Sequence, residues 1–229
     1  MFGKNKILKP ENHDGSSLDV QEIFATFQGE GPYVGYPSVF VRLGGCNLAC
    51  SFCDTEFESF TKQNLDEIIA EILRLAKNDE GKIVRNLIVI TGGEPLRQPI
   101  EQLCEKLTAQ KFLVQIETNG TLFRQLPREV KIICSPKNTG NGYHKIRPDL
   151  LKRIDAFKFI ISAAQPEYAS IGEVGQNGDD GENNIPIYLQ PMDEYDAQKN
   201  RQNIKLTLEL AQKHGARISL QTHKILGIS

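Results

Sequence analysis

Ser38-Val39-Phe40-Val41-Arg42-Leu43-Gly44-Gly45-Cys46-Asn47-Leu48-Ala49-Cys50-Ser51-Phe52-Cys53-Asp54-Thr55 is the stretch on which the reading of this chain turns. Its first six residues are mostly β-branched or aromatic and predict a buried strand. The strand runs into a loop with three cysteines in the spacing C-x3-C-x2-C. A short loop of this kind can curl its sulfurs onto one corner of a cube. Thiolates are soft ligands and suit iron–sulfur clusters or zinc. Three ligands on a four-iron cube leave one iron open to a second molecule. Structural zinc takes four protein ligands, and Cys104, Cys134 and His144 are all remote from the loop. The spacing points to a cluster with an open iron, with zinc or a chance grouping of thiols as the alternatives.

Outward from this stretch the chain alternates strand and helix. Val20–Phe27 precedes it as a partly alternating strand, broken by Gln28-Gly29-Glu30-Gly31-Pro32, which alone reads as a turn. After the cysteine loop, Asn64 begins a helix reaching about Lys77, with Ile68, Ile69, Ile72, Leu73 and Ala76 at helical spacing. Asn86–Thr91 is a near-continuous apolar strand, the kind buried in a parallel sheet, and it ends in Gly92-Gly93-Glu94-Pro95. A helix over 99–110 carries Cys104, which reads as a core thiol. Phe112–Glu117 and Val130–Cys134 are further strands, the second ending in Ser135-Pro136-Lys137, with Cys134 a buried strand residue. A helix over 148–154 leads to the strand Ala156–Ile161, and Ile185–Gln190 follows as a strand ending in Pro191-Met192-Asp193. A helix over 197–214 closes at Gly215, and 217–221 is the last strand.

Such alternation places functional loops at the C-terminal ends of parallel strands, where the sheet holds them on one rim. The candidate groups of Cys46–Thr55, Gly92–Pro95, Glu117–Asn119, Ser135–Lys137 and Gln190–Asp193 all follow strands. Residues 1–18 are polar and read as a loose extension ahead of one domain over 19–229. The Gly-, Asp- and Asn-rich loop 172–184 is acidic but lacks the EF-hand order, so it reads as solvated.

Composition narrows the class. A length of 229 residues suits one good-sized domain, and a net charge of −2 gives no global argument for nucleic acid or an anionic membrane. No apolar run approaches the roughly 20 residues of a membrane span, and the N-terminal residues lack the apolar core of a secretory signal. Five cysteines, odd in number and clustered, do not form a disulfide framework and suit a reducing cytoplasm.

The cysteine spacing with Phe52 before its last thiol, together with Gly92-Gly93-Glu94-Pro95, resembles the paired motifs of the radical S-adenosylmethionine (SAM) superfamily. Within it, Phe27-Gln28-Gly29-Glu30-Gly31, Phe40 to Cys46, Cys53-Asp54-Thr55, Ser135-Pro136-Lys137 and Gln221-Thr222-His223-Lys224 resemble the 7-carboxy-7-deazaguanine synthase family, over about residue 20 onward. The resemblance implies an incomplete, modified (βα) barrel and a homodimer. It implies a lyase that converts 6-carboxy-5,6,7,8-tetrahydropterin into 7-carboxy-7-deazaguanine and ammonia, toward queuosine and other deazapurines. The implied cofactors are a 4Fe-4S cluster on Cys46, Cys50 and Cys53, SAM, and Mg²⁺ on Thr55. Flavodoxin or ferredoxin is the implied class of electron donor. The cluster would reduce SAM to a 5′-deoxyadenosyl radical that removes a substrate hydrogen, and the protein would position and exclude.

The same resemblance gives Phe52, Gly93, Glu94, Ser135, Pro136, Lys137, Gln190 and Asp193 to SAM, with Glu94 accepting from its ammonium. It gives Phe27, Gln28, Gly29, Arg42, Thr91 and the terminal carboxylate at Ser229 to the substrate, with Arg42 meeting the substrate carboxylate. Family members often end in proline, so the aim of the Ser229 carboxylate is open. Two rivals stand beside this reading: a radical SAM activating enzyme acting on a partner protein, and a non-catalytic zinc-binding module.

Overall fold

The computed structural model describes residues 5–51, 53, 55–176 and 185–228. Among these residues nine strands form one open sheet, in the order β3 (Thr61–Asn64), β1 (Ser17–Phe27), β2 (Pro37–Leu43), β4 (Leu87–Gly92), β5 (Leu113–Thr118), β6 (Lys131–Cys134), β7 (Ala156–Ile161), β8 (Ile187–Pro191) and β9 (Arg217–Ile218). Strand β1 lies antiparallel between β2 and β3. From β2 onward every pairing is parallel, through β4, β5, β6, β7, β8 and β9. The sheet does not close, and the architecture is the incomplete barrel expected from sequence.

Helices cover one face of the sheet because their apolar stripes match its buried alternate residues. Helix α1 (Leu65–Ala76) begins at Asn64, which forms a capping box with Glu67, and buries Ile68, Ile69 and Ile72. Helix α2 (Glu101–Ala109) buries Leu103, Cys104 and Leu107. Helix α3 covers only Pro148–Leu151, shorter than the expected 148–154. Helix α4 (Ala197–His214) is capped by Asp196, whose carboxylate accepts from the Gln198 and Lys199 N–H groups, and ends at Gly215 in the left-handed region, φ 64°. Cys104 and Cys134 are both fully buried in the main core. Among the described residues no helix is long and apolar enough to cross a membrane.

Two segments depart from the expected picture. The last strand is only two residues long, against the expected 217–221, and the chain then turns into a helix, α5 (Thr222–Leu226). The N-terminal segment, expected to be loose, is largely exposed over residues 6–14 yet tied by hydrogen bonds to the cysteine loop. The Leu8 N–H donates to the Cys46 carbonyl at 2.8 Å. Asn5 donates its side-chain amide to the Thr55 carbonyl at 3.0 Å and accepts from the Phe57 N–H at 3.2 Å. Further along, Glu11 pairs at 2.7 Å with Arg97, whose side chain is 2% exposed and also donates to the Gly44 carbonyl. A buried guanidinium needs such partners, because an unpaired one would be strongly destabilising.

Of the acidic loop, residues 172–176 are described, and buried Gln176 folds back to donate to the Gly172 carbonyl. The remainder, 177–184, lies outside the described residues, as do Phe52, Asp54 and Ser229.

Candidate active site

One cavity at the C-terminal ends of the parallel strands gathers most of the residues singled out from sequence. Cys46, Cys50, Cys53 and Thr55 line it from the loop after β2. Gly92 and Gly93 line it after β4, Ser135 and Lys137 after β6, and Gln190 and Asp193 at the end of β8. Phe27, Gln28, Gly29, Arg42 and Thr91 complete the wall. Strand order explains the convergence, since each parallel strand delivers its following loop to the same rim.

The three thiols line one cavity, and as a set of three soft donors their chemistry suits a cluster held at three irons. Burial pushes the Cys46 thiol up to about 12 and also raises Cys50. Such thiols ionise only when a cationic centre replaces their proton. The Cys46 sulfur accepts from the Leu48 N–H at 3.4 Å, and the Cys53 thiol donates to the Thr55 carbonyl at 3.3 Å.

The glycines of Gly92-Gly93 answer a packing demand. A Cβ on Gly93 would stand 2.0 Å from the Gly45 carbonyl oxygen, and one on Gly92 would stand 2.0 Å from the Leu43 carbonyl oxygen. The turn after β4 therefore lies backbone to backbone against the entry to the cysteine loop. Gly92 also holds φ at 124°, where a side chain is strained.

Glu94 stands behind the cavity wall. It is wholly buried and does not line the cavity. Its carboxylate accepts from the Thr118 hydroxyl at 2.7 Å, the Asn119 N–H at 2.7 Å and the Leu96 N–H at 3.0 Å. Burial raises its pKa, opposed by these three donors. Glu94 is thus a brace behind the wall, joining the turn after β4 to the turn after β5. Pro136 is likewise buried, between the lining residues Ser135 and Lys137, whose ammonium donates to the Ser135 hydroxyl at 2.6 Å.

Arg42 lines the cavity but already has partners. Its guanidinium pairs with Glu22 on the neighbouring strand and lies 5.2 Å from the Phe24 ring centre. Asp193 accepts from Lys224 at 2.8 Å, from the Tyr195 N–H at 2.9 Å and from the Asn200 amide at 2.8 Å. Burial alone would raise its pKa, but these donors prevail and hold it at about 2.

Several lining residues were not assigned roles from sequence. Lys158, 5% exposed on β7, donates to both Glu30 and Glu117, the latter at 2.9 Å. Gln28 donates to Glu117 at 3.1 Å, and Gln221 donates to Glu30 at 2.9 Å. Desolvation opposes ionisation of Glu30, yet Lys158 beside it and the Gln221 amide hold its pKa down at about 2. Helix α5 fastens onto the same turn: the Thr222 N–H and hydroxyl both donate to the Gly29 carbonyl, and the His223 ring packs where a Gly29 side chain would be. The available signal was a lone lysine within the apolar run Ala156-Phe157-Lys158-Phe159-Ile160-Ile161.

Residues 40–158 match the model of the radical SAM superfamily. The chain is 56% identical to the 7-carboxy-7-deazaguanine synthase of Rickettsia prowazekii, covering 100% of this chain and 96% of that protein. It is 41% identical to the enzyme of the same name from Rhodospirillum rubrum, over the full length of both. The crystal structure of QueE from Escherichia coli superposes with a TM-score of 0.74 at 25% identity, covering 90% of this chain and 94% of that one.

Proposed function

The chain belongs to the radical SAM superfamily and, within it, to the 7-carboxy-7-deazaguanine synthases, and from that membership we propose that it converts 6-carboxy-5,6,7,8-tetrahydropterin into 7-carboxy-7-deazaguanine with release of ammonia. It is a lyase of deazapurine synthesis whose cofactors are a 4Fe-4S cluster and SAM. The observation that carries the reading is a single cavity shared by the three cysteines and by Gln28, Glu30 and Glu117. A hydrogen-abstracting centre and its target must lie in one enclosed space, or the radical is quenched elsewhere.

Cys46, Cys50 and Cys53 would hold the cluster, which together with SAM would supply the radical chemistry that starts ring contraction. The chain's own residues orient and enclose. Gly92 and Gly93 offer backbone to the methionine part of SAM, held in place from behind by Glu94. Ser135 and Lys137 present a hydroxyl and a cation, and Gln190 and Asp193 face the nucleoside. On the substrate side, Arg42 attracts the carboxylate, while Gln28, Thr91 and the carboxylates of Glu30 and Glu117 meet the polar edges of the pterin.

Thr55 would supply one oxygen to Mg²⁺. A single hydroxyl is a weak site alone, so substrate oxygens and waters would complete the six-fold shell. A homodimer, an electron donor of the flavodoxin or ferredoxin type and a reducing cytoplasmic setting accompany this reading. The test is incubation of the anaerobically reconstituted protein with carboxytetrahydropterin, SAM and a reductant. Formation of the deazapurine with 5′-deoxyadenosine is expected. Cleavage of SAM without deazapurine would return the activating-enzyme reading, and zinc in place of iron would return the binding module.

A further inference from the structure

Lys158, Glu30 and Glu117 form a buried charge triad with an imbalance that the fold does not require. One carboxylate suffices to neutralise a buried ammonium. Here two do so, and their side chains are only 16% and 19% exposed, against 6% for the lysine. The triad therefore carries one excess negative charge against the cavity. Buried charge without compensation is costly, which points to a partner supplied by whatever fills the cavity.

The geometry also fixes which atoms remain available. Each carboxylate gives one oxygen to Lys158 and the other to glutamine amides: Gln221 for Glu30, and Gln28 with Gln115 for Glu117. The Gln28 amide is itself oriented, because its oxygen accepts from the Glu30 N–H at 3.1 Å. A carboxylate has room for about four donors, so both retain acceptor capacity. Adjacent N–H donors on a flat ring, as in an aminopyrimidinone edge, fit this need.

Resting on the pterin reading above, we propose that Lys158 is a positioning residue: its ammonium, seated between Glu30 and Glu117, holds both as fixed, ionised acceptors for the paired N–H donors of the substrate's aminopyrimidinone edge. Without the ammonium, two neighbouring carboxylates cannot both ionise freely and come to share a proton. A shared proton converts an acceptor into a donor facing the substrate's own donors. Substrate affinity then falls as the pH drops, although no group that touches the substrate has been removed. The titratable group facing the triad from α5 is His223. Arg42 from β2, Lys137 after β6 and the Asp193–Lys224 pair line the same cavity. All are retained in the variants, and the double variant below separates the proton of the carboxylate pair from theirs.

The experiment measures the dissociation constant of carboxytetrahydropterin on the cluster-loaded protein with SAM present and reductant withheld, between about pH 6 and pH 9. For Lys158→Met the ratio of variant to wild-type constant should rise at least about tenfold from pH 9 to pH 6, one unit of pKa-linked affinity. Lys158→Gln, a gentler change, should show the same slope at smaller amplitude and serves if the methionine variant does not fold. Adding Glu117→Gln to Lys158→Met removes the shared proton and should flatten the ratio. A pH-independent ratio in the folded single variants, or a slope that survives in the double variant, overturns the proposal. Wild-type protein that neither binds the pterin nor makes the deazapurine overturns the underlying reading instead.

Discussion

The Glu94 carboxylate accepts the Asn119 backbone N–H at 2.7 Å, and so ties the turn after β4 to the turn after β5. Two further donors, Thr118 and Leu96, complete its environment. Replacement by alanine leaves three buried donors without an acceptor. Glu94→Ala should lower stability by about 3 kcal/mol or more, since each such orphan costs about 1–3 kcal/mol. Glu94→Gln should fall between the two, because its amide group turns one acceptor into a donor. Urea unfolding of both variants without cluster measures the effect, and a change under about 0.5 kcal/mol would remove the bracing role.

Two glycines in the site predict different outcomes for the same substitution. Gly93→Ala places its Cβ 2.0 Å from the Gly45 carbonyl oxygen, which is backbone and cannot yield cheaply. Gly29→Ala meets the His223 ring, 2.2 Å away at Nδ1, which can rotate. Gly93→Ala should destabilise by about 2 kcal/mol or more, and Gly29→Ala by less than about 1 kcal/mol with loss of turnover. Thermal unfolding alongside the product assay separates them.

The Glu30–Lys158 pair predicts an acid-labile contribution. Glu30 titrates at about 2 rather than at the usual 4.5, so between these values the unfolded chain binds the proton that the folded chain releases. Stability from this group is therefore present above about pH 4.5 and is lost as the pH falls towards 2, with a span of about 3 kcal/mol. The stability difference between wild type and Glu30→Gln should narrow across that window in chemical denaturation. A difference constant with pH would refute the linkage.

Cys50 is partly exposed on the loop and belongs to none of the buried core. Cys50→Ala should abolish iron binding after anaerobic reconstitution and with it all turnover. The unfolding midpoint of the cluster-free protein should shift by no more than about 0.5 kcal/mol equivalent. Iron analysis and circular dichroism are the readouts.

Thr55 lines the cavity with its carbonyl held by Asn5 at 3.0 Å, so the residue is fixed before any metal arrives. Thr55→Ala removes the hydroxyl but not that anchor. Activation by Mg²⁺ should weaken, seen as a higher Mg²⁺ concentration for half-maximal rate, while iron content stays at the wild-type level. An unchanged Mg²⁺ response would remove Thr55 from the metal site.

What the sequence determined by itself was local. Alternating apolar strands and helices, the Asn64 and Gly215 helix boundaries, the core cysteines at 104 and 134, and the cluster spacing at 46, 50 and 53 are each written within a few residues. Backbone periodicity and ligand spacing operate at that range, and the strand-end loops followed from them. Tertiary structure alone decided the rest. Lys158 meets partners 41 and 128 positions away, Glu94 braces the turn after β5, and Asn5 reaches a loop 50 residues on. These contacts depend on strand order and on which loops share a rim. No window of sequence holds that information, because the energy of a buried charge is set by whatever the folded sheet places beside it.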